Sequence, residues 1–79
     1  MSGVKEPKKG IIKWFSDHKG YGFIVPFSPD NEDIFFHRTD LKDRKYVPDP
    51  GDQVEYNVVV SLAAQGNGLK AVNVSKLDG

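Results

Sequence analysis

Two short segments of the chain set aromatic rings at alternate positions beside a cation: Lys19-Gly20-Tyr21-Gly22-Phe23-Ile24 and, eight residues further on, Asp33-Ile34-Phe35-Phe36-His37. In an extended strand alternate residues share a face, so Tyr21 and Phe23 project together, as do Phe35 and His37, opposite Gly22, Ile24, Ile34 and Phe36. Flat rings standing on a sheet, with cations at the rim, can stack unpaired bases and meet the phosphates between them. Trp14, Tyr21, Phe23, Phe35 and His37 supply the ring faces, and Lys13 and Lys19 the adjacent cations. Lys8 and Lys9 add charge at the start of the same stretch. Either segment alone would be a weak signal; paired in this way they are specific.

Other chemistries are poorly served. The best acid–base set is His18, His37 and Lys19, a ribonuclease-like trio, but His18 sits in a polar turn where a solvated imidazole is the ordinary case. Asp17, His18 and His37 match no metal-ligand spacing. The absence of cysteine excludes a thiol nucleophile, a disulfide framework and a thiolate zinc site. No enzyme, metal, cofactor or small-molecule substrate is therefore expected. The competing use of the same rings is a protein-interaction surface, distinguished by its indifference to neutralising Lys13 or Lys19.

The elements that must position these rings are short. Seventy-nine residues, 38% of them hydrophobic, describe one small domain, and a chain of this size buries only about 60% of its unfolded surface. A cysteine-free composition suits a reducing, cytoplasmic setting, or a nuclear one in a eukaryote. The apolar run Val58-Val59-Val60 falls far short of a membrane span of about 20 residues, and Met1 to Glu6 lacks the apolar core of a secretory leader. Short apolar runs punctuated by Gly, Pro, Asn and Asp predict strands at 8–15, 20–26, 32–37, 51–61 and 68–76, with a mobile tail over 1–7 and a C-terminal tail over 77–79. Thr39 to Lys42 could form one helical or 3₁₀ turn in the long third connection. Five short antiparallel strands cannot build two packed sheets with a real core, so an all-β barrel, closed or partly open with Greek-key order, is the economical solution.

Parity then assigns the faces. Glycine belongs inside a tightly coiled strand, where a side chain would block curvature, so Gly22 and Ile24 face the core and Tyr21, Phe23, Phe35 and His37 face out. An imidazole without a partner is costly in a small apolar interior, which points the same way. A bulge is common in bent barrel strands, and parity leaves open which of Lys13, Trp14 and Phe15 faces out. Val54, Tyr56, Val58 and Val60 are expected inside, completed by Val72 and Val74. Reversing the assignment would expose Ile24, Ile34 and Phe36 instead, so an apolar patch of binding-surface size remains outside either way.

Net charge is zero, which argues against gripping duplex phosphates by charge alone. The distribution is uneven: residues 1–27 carry Lys5, Lys8, Lys9, Lys13 and Lys19 against Glu6 and Asp17, a net +3, whereas residues 28–55 are at −4. A polyanion is therefore met by the N-terminal third, and the acidic run Asp30 to Asp33 reads as a solvated loop.

At these residues the chain resembles the cold-shock domain family. Gly10-Ile11-Ile12-Lys13-Trp14-Phe15 is similar to the family's first strand, Lys19 to Ile24 to its first ribonucleoprotein motif and Asp33 to His37 to its second. The resemblance spans about residues 8–76 and implies a five-stranded oligonucleotide-binding (OB) fold that binds single-stranded RNA and DNA without catalysis. The expected bearer is a monomer acting as an RNA chaperone or post-transcriptional regulator. By position, Lys13, Trp14, Lys19, Tyr21, Phe23, Phe35 and His37 fall on the family's nucleic-acid contacts, and Tyr46 on a third-loop ring that stacks a further base. Three departures stand out. Arg38 occupies a place where bacterial members often carry an aromatic, offering a planar cation that can stack or hold phosphate. Phe36 replaces a small inward aliphatic, and the longer loop between the motifs contains Phe27, a ring that either covers the barrel end or joins the platform. Tyr46-Val47-Pro48 followed by Gly51-Asp52 looks closer to small eukaryotic cold-shock-domain proteins than to bacterial ones.

Overall fold

The computed structural model describes residues 7–27, 32–61 and 68–77. The expected N-terminal tail up to residue 6, the loop and acidic residues at 28–31, most of the last turn at 62–67 and the C-terminal tail at 78–79 lie outside the described residues.

Five strands form close to the bounds read from sequence: β1 Lys8–Ser16, β2 Tyr21–Pro26, β3 Ile34–His37, β4 Gln53–Val60 and β5 Leu69–Lys76. They close into a barrel in the order β1-β2-β3-β5-β4, with β4 returning to β1. Four junctions are antiparallel, and the β3–β5 junction is parallel, through Phe35 and Lys70. An odd-membered ring cannot alternate direction all the way round, so one parallel junction is a consequence of closing five strands. The 3₁₀ turn Arg38–Asp40 begins the connection to β4 one residue earlier than expected. Among the described residues no helix is long and apolar enough to cross a membrane.

The β1–β2 hairpin depends on two glycines. Gly20, at φ +80°, donates its N–H to the Ser16 carbonyl at 2.6 Å and so closes the turn in a conformation that side chains resist. At Gly22 a Cβ would overlap the Trp14 carbonyl oxygen and lie 2.8 Å from the Phe15 Cα, so only glycine lets β2 lie this close to β1.

Inside, Ile12, Ile24, Ile34, Phe36, Val54, Tyr56, Ala71 and Val74 make the core, with Leu41 closing one end. A register shift between Ile12 and Trp14 settles the parity left open on β1. Lys13 is the extra residue of a bulge, Trp14 joins the outer face opposite Phe23, and Phe15 packs on the core, its ring stacked on Phe36 at 5.6 Å and 14°. Phe36 thus occupies an inward position, with Phe15 as its partner.

Two core assignments are corrected. Val58 is half-buried and packs against the core as expected, but Val60, the last residue of β4, is 81% exposed. On β5 the inward pair is Ala71 and Val74 rather than Val72 and Val74. Glu55 pairs with Ser75 but Asn57 with Val72, so Tyr56 faces two residues, Asn73 and Val74, of which Asn73 adopts φ +53°; this bulge breaks the two-residue period.

Candidate nucleic-acid interface

Because β1, β2 and β3 are neighbours, their outward residues come into register. Trp14 stands opposite Phe23, Phe23 opposite Phe35 and Tyr21 opposite His37. The rings form a connected net: Trp14–Phe23 at 5.3 Å and 52°, Trp14–Tyr21 at 5.5 Å and 67°, Tyr21–Phe35 at 5.5 Å and 38°, and Phe23–Phe35 at 5.8 Å and 71°. Tilted and edge-on contacts satisfy the ring quadrupoles and hold each ring in place without pairing it face to face with its neighbour. Trp14 is exposed, and Tyr21, Phe23 and His37 are half-buried. Phe35 was expected on the exterior; it does lie on that face but is only 8% exposed, since the rings of Tyr21 and Phe23 cover it.

His37 is held from two sides. Its backbone N–H donates to Asp40 Oδ2 at 2.9 Å, and its Nδ1 accepts the Thr39 N–H at 3.2 Å, which caps the 3₁₀ turn. A ring nitrogen that accepts a backbone N–H carries no proton, so the neutral imidazole keeps its proton on Nε2. The ring therefore presents a hydrogen-bond donor as well as a face.

The cations are less free than the sequence suggests. Lys13 Nζ lies 2.8 Å from Asp33 Oδ2, an ion pair that joins the β1 bulge to the start of β3 across the intervening β2. Lys19 is exposed in the hairpin turn, its N–H fixed by Ser16 Oγ at 3.1 Å. Arg38 donates through Nη2 to the Asp17 carbonyl at 2.6 Å, while its own N–H donates to Gly20 at 2.8 Å, so it clamps the hairpin turn onto β3. Tyr46 stands apart from the ring net. It is half-buried against the core, and its hydroxyl donates to Asp52 Oδ2 at 2.7 Å. Burial, then that carboxylate, raise the Tyr46 pKa well above a phenol's usual value, and the same hydrogen bond is the main cause holding Asp52 below the usual carboxylate range.

The structure adds residues that the sequence did not single out. Lys70, on β5, pairs directly with Phe35 of β3, and its Nζ is 3.4 Å from Asp40 Oδ1, the same carboxylate that holds His37. Nothing short of the parallel β3–β5 junction could have placed it there. Beyond His37 an open pocket of about 130 Å³ has Phe15 and Leu41 in its lining, with Arg38, Arg44, Asp17 and Tyr46 around them, so Arg38 and Tyr46 share a second site rather than the ring net. Among the described residues no cluster of His, Asp and Glu is arranged to hold a metal ion.

Residues 8–77 match the 'Cold-shock' DNA-binding domain family. The chain belongs to the cold-shock domain family. Membership indicates nucleic-acid binding, and the closed five-stranded barrel is the OB architecture expected of a cold-shock domain. The chain is similar to glycine-rich protein 2 of Nicotiana sylvestris, 40% identical over 73 residues that are 90% of this chain and 32% of that protein. It is likewise similar to calcium-regulated heat-stable protein 1 of Homo sapiens, 41% identical over 66 residues, 84% of this chain and 43% of that one. Among solved structures, drosophila Unr CSD456 superposes with a TM-score of 0.73 at 27% identity over 98% of this chain and 29% of that chain. The cold-shock domain thus spans less than half the length of these relatives.

Proposed function

We propose that this domain binds unpaired RNA and DNA with little sequence preference, stacking bases on Trp14, Phe23, Phe35 and His37 with Tyr21 bracing them. The observation that carries the reading is the row Trp14, Phe23, Phe35, Lys70: ring, ring, ring and cation in cross-strand register over four adjacent strands. Strands lie about 4.8 Å apart, so a row of this kind offers successive bases successive surfaces along a path perpendicular to the strands. Each stack is worth about 1–3 kcal/mol, which lets three or four of them dominate on a protein without net charge. Lys13, Lys19 and Lys70 meet the phosphates, Lys13 by exchanging Asp33 for the ligand. The pocket formed by Arg38, Arg44 and Tyr46 takes a further base at the His37 end.

A duplex hides its base faces, so the domain prefers single strands and aids the melting of weak RNA structure. It does so as a monomer without a catalytic step, the work of an RNA chaperone or post-transcriptional regulator in the cytoplasm. Trp14 fluorescence provides the test. A pyrimidine-rich oligonucleotide should quench it at micromolar or lower concentration, while the same sequence as a duplex should not; equal responses, or none, would defeat the reading.

A further inference from the structure

The outer face of the β1–β2 hairpin does not end at Phe23. Burial alternates without a break along β2 and past its end: Gly22, Ile24 and Pro26 are buried, while Tyr21, Phe23, Val25 and Phe27 lie on the other face. Phe27 is 50% exposed and Val25 40%. Pairing continues as well, since Ile11 stands opposite Val25 and the Phe27 N–H donates to the Lys9 carbonyl at 3.0 Å. Beyond the Trp14–Phe23 row lie two more rows on the same face: Ile11 with Val25, then Lys9 with Phe27.

We propose that Ile11, Val25, Phe27 and Lys9 form an extension of the binding face that takes two further nucleotides of the same single strand. This inference rests on the proposed base-stacking platform. Three observations favour nucleic acid over a protein partner as the occupant. The patch is continuous with the ring net, and successive outward rows lie about 6.6 Å apart, so a strand that crosses the ring row and turns along the β1–β2 hairpin meets one row per base. The last row sets an exposed ring, Phe27, directly beside a lysine, Lys9, on the neighbouring strand. Lys9 has no ion pair among the described residues although Glu55 is its β4 neighbour, so its charge is open to a phosphate.

The Lys13–Asp33 ion pair crosses β2 between the two halves of this face. A phosphate passing there is met by Lys13, which gives up Asp33 for it as it does on the platform. The extension then lets a longer oligonucleotide bind more tightly than the platform alone allows, and the gain belongs to Phe27.

The experiment compares labelled oligothymidylates of about four and about eight nucleotides by fluorescence anisotropy on the wild-type chain, Phe27→Ala, Phe27→Leu, Phe27→Tyr and Phe23→Ala. The wild type should bind the longer probe more tightly. Phe27→Ala and Phe27→Leu should lose about fivefold or more on the long probe and nothing on the short one, while Phe27→Tyr, which keeps a flat ring, retains wild-type affinity. Unchanged affinity of Phe27→Ala for both probes overturns the inference and leaves the patch to a protein partner. In that case loss of binding in Phe23→Ala shows that the platform reading survives; if Phe23→Ala binds both probes like the wild type, the platform has failed with it. Unaltered thermal melting of Phe27→Ala, expected for an exposed ring, keeps unfolding out of the comparison.

Discussion

Phe35 and Phe36 are consecutive, chemically identical and nearly equally hidden from solvent, at 8% and 0% exposure, yet they belong to opposite regions of the molecule. Phe36 points into the barrel and stacks almost parallel on Phe15, within a closed set of aliphatic neighbours. Phe35 points out and is covered only by Tyr21 and Phe23, themselves half-buried and meeting it at 38° and 71°. The difference teaches that burial alone does not separate core from outer face in a small barrel. What separates them is the company: interior rings are enclosed by groups with no other purpose, whereas the outer rings shelter one another and stay within reach of a ligand. Folding dictates the inner face, so the outer face is where composition is free to serve binding.

The sharpest break in this comparison is Phe36→Ala, which should cost about 3–5 kcal/mol. That is most of the stability of a domain this small, and urea unfolding would register it whether or not nucleic acid is present. Next comes the outer pair. Phe35→Ala should cost about 3 kcal/mol, the low end for a buried phenylalanine, and weaken oligonucleotide binding as well. Phe23→Ala should weaken binding at least about tenfold with a small change in melting temperature. Similar melting losses in Phe23→Ala and Phe36→Ala would erase the distinction between the faces.

Smaller effects sharpen the picture of the rim. With about three phosphates neutralised, the logarithmic salt slope for a single strand should be roughly −2, about a sixteenfold loss of affinity between 50 and 200 mM salt. Lys13→Gln should flatten that slope by about 0.7 if the lysine leaves Asp33 for a phosphate; an unchanged slope would keep Lys13 as a structural partner only. Last are two tyrosine hydroxyls. Tyr46→Phe removes the bond to Asp52 and should cost about 1–2 kcal/mol at neutral pH. Because Asp52 titrates below its unfolded value near about 3.9, its contribution is complete above that pH and disappears as pH falls through the folded value. The wild-type and Tyr46→Phe stability curves should therefore converge in acid. Tyr56→Phe should cost nothing, since its buried hydroxyl has no partner among the described residues.

Residue type and period were enough to locate the strands, the hairpin glycines and the outward set Tyr21, Phe23, Phe35 and His37, because each of these follows from alternation within one strand. The resemblance extended them to a family and a ligand class. Alternation fails where a strand slips, and so the side chosen by Trp14 and the inward pair on β5 were illegible until the bulges at Lys13 and Asn73 could be seen. The same limit hid the state of the cations. Lys13 and Asp33 are 20 residues apart, Arg38 and Asp17 are 21, and no local pattern announces such pairs. The sequence by itself determined which side chains lie on which face of β2 and β3, since those strands keep the two-residue period throughout. Only the tertiary structure decided which strands are neighbours, that the parallel junction brings Lys70 beside Phe35, and that the outer face of β2 runs on to Phe27 beside Lys9, because closure of the ring sets those contacts between distant parts of the chain.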